Sequence, residues 1–157
     1  MQYSFAGEDY PAYYPLDMGD VSLTPEYTIH YQVLGEGAEV EWSTTSPDNG
    51  GFLYLGAEER PFGIALFHQL YCLQMIRAAI SSRDTSTPVH RCMNYIRQTI
   101  LCEANPTLEP VIPILGAWTV DAEIPRVCKD WTQVYMLAKR NSAEVVGVGQ
   151  LSSVDYY

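Results

Sequence analysis

The chain has 157 residues, long enough for one domain with a real hydrophobic core. Nine Lys and Arg against nineteen Asp and Glu leave a net charge near −10, which repels nucleic-acid backbones and anionic lipid surfaces. No stretch approaches the roughly 20 apolar residues that cross a bilayer, and no charged-then-apolar leader opens the chain. The sequence therefore reads as soluble from the start, or as the remainder after a leader has been removed.

Residues 1–26 are rich in Tyr, Pro and acidic side chains without a sustained period, which reads as an extended arm, either partly disordered or wrapped on the domain through Tyr10, Tyr13 and Tyr14. Tyr27, Ile29, Tyr31 and Val33 alternate with Thr28, His30 and Gln32, a strand pattern. After a turn at Gly35-Glu36-Gly37, Ala38, Val40 and Trp42 alternate again, as a strand or a short helix. Residues 46–51 are a loop by their turn chemistry, and Phe52–Leu55 reads as a short strand.

Three helices are expected next. The first starts with Pro61 at its N1 position and ends near Ser81, with Ile64, Phe67, Leu70, Met75 and Ile80 on a wide apolar face. The second has Thr87 as N-cap and Pro88 at N1, with Val89, Met93, Ile96 and Ile100 as its core stripe. The third runs from about Val127 to Arg140, with Val127, Trp131, Val134 and Ala138 facing inward. Between the second and third lies a long loop carrying Pro106, Pro110, Pro113 and Pro125, and loops of that length are usually functional or pinned. These readings give an α+β domain over residues 27–141, with three helices carrying the site. A small antiparallel sheet or hairpin is expected in the N-terminal half, and a flexible tail over 142–157.

Chemistry concentrates on the first two helices. His68, Tyr71 and Cys72 fall at i, i+3 and i+4, on one helical face. His68 is a metal ligand, a general base with Tyr71 as its proton partner, or a core histidine bonded to a backbone carbonyl. His90, in the first turn of the second helix, shares a polar stripe with Asn94 and Arg97. His30 lies on the polar side of a strand pattern and reads as ordinary. Arg91 and Arg126 hold an anionic substrate group or pair with local carboxylates. No dinucleotide fingerprint, phosphate loop or nucleophile elbow is present. The four cysteines, Cys72, Cys92, Cys102 and Cys128, lack zinc-knuckle spacing and allow three pairings. Cys92 and Cys102 lie about 15 Å apart on a continuous helix and so do not bridge each other.

Three phrases in order, GGFLYLG…RPFGIALFHQLYCLQMIR, HRCMNYIRQTILCEANPTLEP and RVCKDWTQVY, resemble the fungal UstYa-like family of ustiloxin- and cyclochlorotine-type biosynthesis. The likeness runs from about Trp42 to Tyr135. It implies a tailoring enzyme of secondary metabolism, active on a peptide or small-molecule intermediate. The family's paired H-x-x-H-C motifs are taken to hold a metal, plausibly copper, behind a transmembrane anchor facing the secretory lumen. Here the first motif keeps His68 but has Tyr71 at its second histidine. The second has Pro88 and Arg91, with His90 displaced by one residue, and Arg126 replaces the histidine of the third phrase.

All four cysteine positions of the family persist, so the resemblance implies a kept scaffold and a dismantled imidazole set. The expected function is cyclisation or isomerisation without a redox metal, with His68, Tyr71, His90, Arg91, Asn94 and Arg126 as the working residues and no cofactor. The first alternative is a copper oxidase using His68 and His90, and the second is a non-catalytic partner of an active paralogue, in a homo- or hetero-oligomer. The expected disulfides are Cys102–Cys128, which ties the long loop, and Cys72–Cys92. The expected location is the secretory lumen, or the cytoplasm if no leader was removed.

Overall fold

The computed structural model describes residues 3–145 and Tyr156. Its elements run in order β1 (Asp20–Leu23), α1 (Ala38–Ser43), β2 (Phe52–Leu55), β3 (Arg60–Gly63), α2 (Ala65–Ser82), α3 (Thr87–Glu103), β4 (Val111–Ile114), β5 (Ala117–Val120), β6 (Arg126–Lys129) and α4 (Thr132–Val145). The strands form three antiparallel pairs, β1–β6, β2–β3 and β4–β5, so the domain is α+β. None of the described helices is long and apolar enough to cross a membrane.

The core joins β2, α2 and α4. Leu53, Phe67, Val134 and Ala138 are buried together, and Leu16, Met18, Leu55, Ile64, Leu66, Leu70, Tyr135 and Leu137 pack around them. Phe67 is fully buried and meets the Tyr135 ring edge-on at 4.8 Å. Gly51, at φ +82°, lets the chain pass directly over this ring, because a Cβ there would stand 2.3 Å from Phe67. The Asn141 side chain of α4 then clamps β2, accepting from the Tyr54 N–H at 2.7 Å and donating to its carbonyl at 2.9 Å.

α3 attaches to α2 on the other side, through the Cys72–Cys92 disulfide (Cα–Cα 4.8 Å) and the buried Val89. Ser86 rather than Thr87 is its N-cap, and Pro88 sits in its first turn. The expected core stripe of this helix is only partly buried, since Met93 and Ile100 are exposed.

Four expectations change. Residues 27–33 form no strand; they bend across α1, with Ile29 80% exposed. The Glu41 carboxylate accepts the Tyr31 N–H at 2.8 Å and pairs with His30 Nδ1 at 2.6 Å, while the Trp42 indole donates to the Gln32 carbonyl at 3.0 Å. Side chains of α1 thus satisfy backbone groups that a partner strand would have taken. Residues 38–43 take the helical alternative.

Pro61 opens no helix. It pairs with Tyr54 in β3, whose one partner among the described strands is β2, so its missing N–H leaves no ladder bond unmade there. The expected third helix is split. Residues 126–129 pair with β1 in the register Asp20↔Lys129 to Leu23↔Arg126, which leaves Val127 80% exposed and Trp131 outside the core. Asp130 then starts α4, accepting from the Thr132 N–H at 3.1 Å, the Thr132 hydroxyl at 2.5 Å and Gln133 Nε2 at 3.0 Å.

The long loop carries a hairpin, β4–β5, turned by Leu115 and Gly116 at φ +50° and +82°. Two successive left-handed residues match the twist of a two-residue hairpin.

The N-terminal arm is tied down. Arg60 lies over the Tyr10 and Phe62 rings at 5.3 and 4.9 Å and bonds the Gly7 carbonyl. Tyr10 meets Phe62 at 5.2 Å, whereas Tyr13 stays exposed. α4 continues to Val145, and of the tail expected over 142–157, residues 146–155 and 157 lie outside the described residues.

Candidate functional site

The disulfide sets the geometry of the site. α2 and α3 form an antiparallel pair locked at Cys72 and Cys92. A residue one turn before Cys72 therefore faces one about a turn after Cys92. Those residues are His68 and Tyr95. Their rings stack at 3.9 Å with 19° between planes.

Tyr156 stacks on His68 at 4.5 Å and 7°. Two near-parallel rings that close cannot share one face of an imidazole, so His68 is sandwiched between them. The far side of Tyr156 meets Phe52 of β2 at 4.6 Å and 26°, giving the order Phe52, Tyr156, His68, Tyr95. Tyr71 lies beside the stack, 5.3 Å from Tyr156. The Tyr156 hydroxyl donates to the Gly50 carbonyl at 3.1 Å.

Burial drives the electrostatics. It holds the His68 imidazole below its ordinary 6.5, so the ring is neutral at neutral pH and one nitrogen can accept a proton. Burial, followed by the nearby Tyr95, pushes the Tyr156 phenol far above the ordinary 10.0, so it stays protonated.

The other expected site residues are placed differently. His90 and Arg91 are exposed in the first turns of α3. Asn94 accepts from Arg97 at 3.2 and 2.9 Å along the same helix. Arg126, on β6, is ion-paired with Glu109, and its Nε is buried without a partner among the described residues. Cys102 and Cys128 are free thiols, so the expected bridge between them does not form: Cys128 sits in β6, held against β1, while Cys102 is exposed in the last turn of α3.

A cleft of about 550 Å³ opens between Gln69 of α2 and the C-terminal end of α3. Gln69, Thr99, Ile100, Leu101, Glu103, Ala104 and Asn105 line it, supplying amide, hydroxyl and carboxylate groups, of which only the Gln69 amide is next to His68 in sequence.

The donor set does not fit a copper ion held in the family manner. No three His, Cys, Asp or Glu side chains converge among the described residues. Both motif cysteines are spent in the disulfide, and His90 lies exposed in the first turn of α3.

Sequence reasoning missed Phe52, Tyr95 and Tyr156. Tyr95 was within reach, because one Cys72–Cys92 link between antiparallel helices places it opposite His68. Nothing local marks Phe52 or Tyr156 as its neighbours.

No solved structure matches the chain. Among characterised proteins it is similar to the UstYa family oxidase phomYb of Diaporthe leptostromiformis, 36% identical over 67% of this chain and 45% of that protein. A second protein of that fungus, UstYa family oxidase phomYd, is 26% identical over 66% of this chain and 34% of its own length. Oxidase ustYa of Aspergillus flavus is 33% identical over 57% and 43%. The chain thus spans less than half the length of each of these relatives. The family model of the mycotoxin biosynthesis protein UstYa matches residues 16–141, from the arm through β1 to the Asn141 clamp. With that span, and with His68, Cys72 and Cys92 at the centre of the paired helices, the chain belongs to the UstYa family.

Proposed function

We propose that this protein is a tailoring enzyme of fungal secondary metabolism that cyclises or isomerises a natural-product intermediate by positioning and proton transfer. The observation that carries this reading is His68, kept at the motif position, neutral through burial and set in a wall of aromatic rings. A neutral imidazole accepts a proton at one substrate atom and returns it at another. Tyr71 is the phenol next to the stack that can complete such a relay. The cleft at Gln69, the residue after His68, supplies room for a drug-sized intermediate, with Gln69, Thr99 and Asn105 to orient it. Holding a flexible substrate in a reactive geometry is itself a large part of cyclase catalysis. The Cys72–Cys92 bridge supports residence in an oxidising compartment such as the secretory lumen.

A second reading is oxidation, favoured by the names of the relatives, which are called oxidases. Mass balance separates the two. A host strain deleted for this chain should accumulate an intermediate, and purified protein should convert it to an isobaric product, with His68→Ala abolishing the conversion. A product that has lost two hydrogens or gained an oxygen, formed only with bound copper and lost with a chelator, rejects the proposal in favour of oxidation. Absence of turnover unless a paralogue is added points to a partner subunit instead.

A further inference from the structure

Tyr156 is held as a ligand is held. Its ring lies between Phe52 at 4.6 Å and His68 at 4.5 Å, with both neighbours nearly parallel to it. Its hydroxyl reaches the Gly50 carbonyl at 3.1 Å. The edge of the slot is cut for it at Gly63, where a Cβ would stand 2.9 Å from Tyr156 Cε1 and 3.5 Å from the Phe52 ring. Gly63 has no left-handed backbone angle, so the glycine is needed there for space rather than for conformation. The slot thus has two flat walls, one polar anchor that accepts a hydrogen bond and a relieved edge. The Phe52 wall and the Gly63 edge come from the hairpin β2–β3 and the His68 wall from α2, whereas the ring filling the slot comes from beyond α4, far from them in sequence. The ring also covers one face of His68.

We infer that the space between Phe52 and His68 is a binding subsite for a phenolic ring of the substrate, and that Tyr156 occupies it as an internal competitor. This rests on the reading that His68 belongs to the working site, and it names the chemical class of group presented there. An external ring stacks between Phe52 and His68 and donates its hydroxyl to the Gly50 carbonyl, as Tyr156 does. Tyr156 then sets the apparent affinity. An internal ligand bound nine parts in ten lowers apparent affinity about ten-fold. Offset stacking favours any planar ring, and the carbonyl anchor selects those bearing a hydroxyl.

The test is binding, read without turnover, so that it stands or falls apart from the proposed reaction. p-Cresol, N-acetyl-L-tyrosinamide and cyclohexanol are titrated into the unsubstituted protein and Tyr156→Ala, following the His68 ring protons by NMR and the melting temperature. The expected result is that both phenols shift the His68 resonances and raise the melting temperature of Tyr156→Ala. Their Kd should be at least about ten-fold lower than for the unsubstituted protein, with no response to cyclohexanol. Preference for the tyrosinamide over p-cresol assigns the ring to a peptide substrate, and the reverse assigns it to a free phenol.

Gly63→Ala in the Tyr156→Ala background should weaken phenol binding at least five-fold. If Tyr156→Ala melts without a cooperative transition, restoration of that transition by p-cresol supports the subsite. Failure to restore it, equal binding in the two proteins, an equal response to cyclohexanol, or no effect of Gly63→Ala each overturn the inference.

Discussion

Phe67 shows how much of this molecule rests on single contacts. It is fully buried among Leu53, Val134 and Ala138, and Gly51 passes over its ring. Phe67→Ala should destabilise the protein by about 3–5 kcal/mol, measured by urea denaturation, because the backbone over Gly51 cannot settle into the space left. Gly51→Ala should be at least as damaging, since it combines a 2.3 Å clash with a left-handed φ of +82°.

His68 gives a pH dependence whose sign follows from burial. Its folded value lies below the ordinary 6.5, so the unfolded chain takes up a proton first on acidification. Its contribution is complete above 6.5 and is lost as pH falls from there through the lower folded value. His68→Gln should flatten the fall in melting temperature across that window while leaving the more acidic limb. The more acidic limb belongs to exposed carboxylates such as Glu41, held low first by its bond to His30, and Asp9, held low by Ser4. If the two proteins lose stability in parallel, His68 is not the group responsible.

The element most open to intervention is the α2–α3 pair. Its disulfide closes a 20-residue separation, for which chain entropy gives about 3 kcal/mol of stability. A reductant, or Cys72→Ser with Cys92→Ser, should lower the melting temperature and blur the His68–Tyr95 contact, which depends on helix register. The native protein should show two thiols reactive to an aromatic disulfide reagent, Cys102 fast and the half-buried Cys128 slower, and four after unfolding in reductant. No reactive thiol in the native state would show that the second bridge forms in solution.

At the other end of the core, Asn141→Ala removes both bonds that hold Tyr54 to α4. It should cost about 1–3 kcal/mol, because a strand N–H and carbonyl lose their partners where only half exposed. Asn141→Asp should recover only the bond from the Tyr54 N–H.

The molecule as a whole is closed by its beginning. β1 is the partner of β6, and Leu16 and Met18 cover the cluster around Phe67. A chain lacking residues 1–23 should lose its cooperative thermal transition, since β6 would be left unpaired immediately before α4 and the core uncovered. The ion pairs contribute far less. Lys129 and Asp20 are both exposed, and Asp20→Asn should change stability little and only at low salt. A cooperative transition surviving the arm deletion would move the arm from structural element to appendage.

The paired helices were legible in the chain because their signals are local. Helical spacing places His68, Tyr71 and Cys72 on one face, Pro88 marks the start of α3, and the motif cysteines suggest the Cys72–Cys92 link. Membership of the UstYa family followed from spaced phrases of the same kind. Strand pairing is not local. The alternation at 27–33 is as good as that of many strands, yet no other described segment pairs with it, and Glu41 and Trp42 take its backbone groups instead. The segment 126–129 looked helical until β1, more than a hundred residues earlier, claimed it. The ring stack is of the same kind, because Phe52, His68, Tyr95 and Tyr156 come from four separate stretches and no period relates them. Sequence alone therefore determined which helices carry the chemistry and which family built them. Only the tertiary structure decided what surrounds His68, because contacts between distant segments depend on how whole surfaces fit rather than on spacing along the chain.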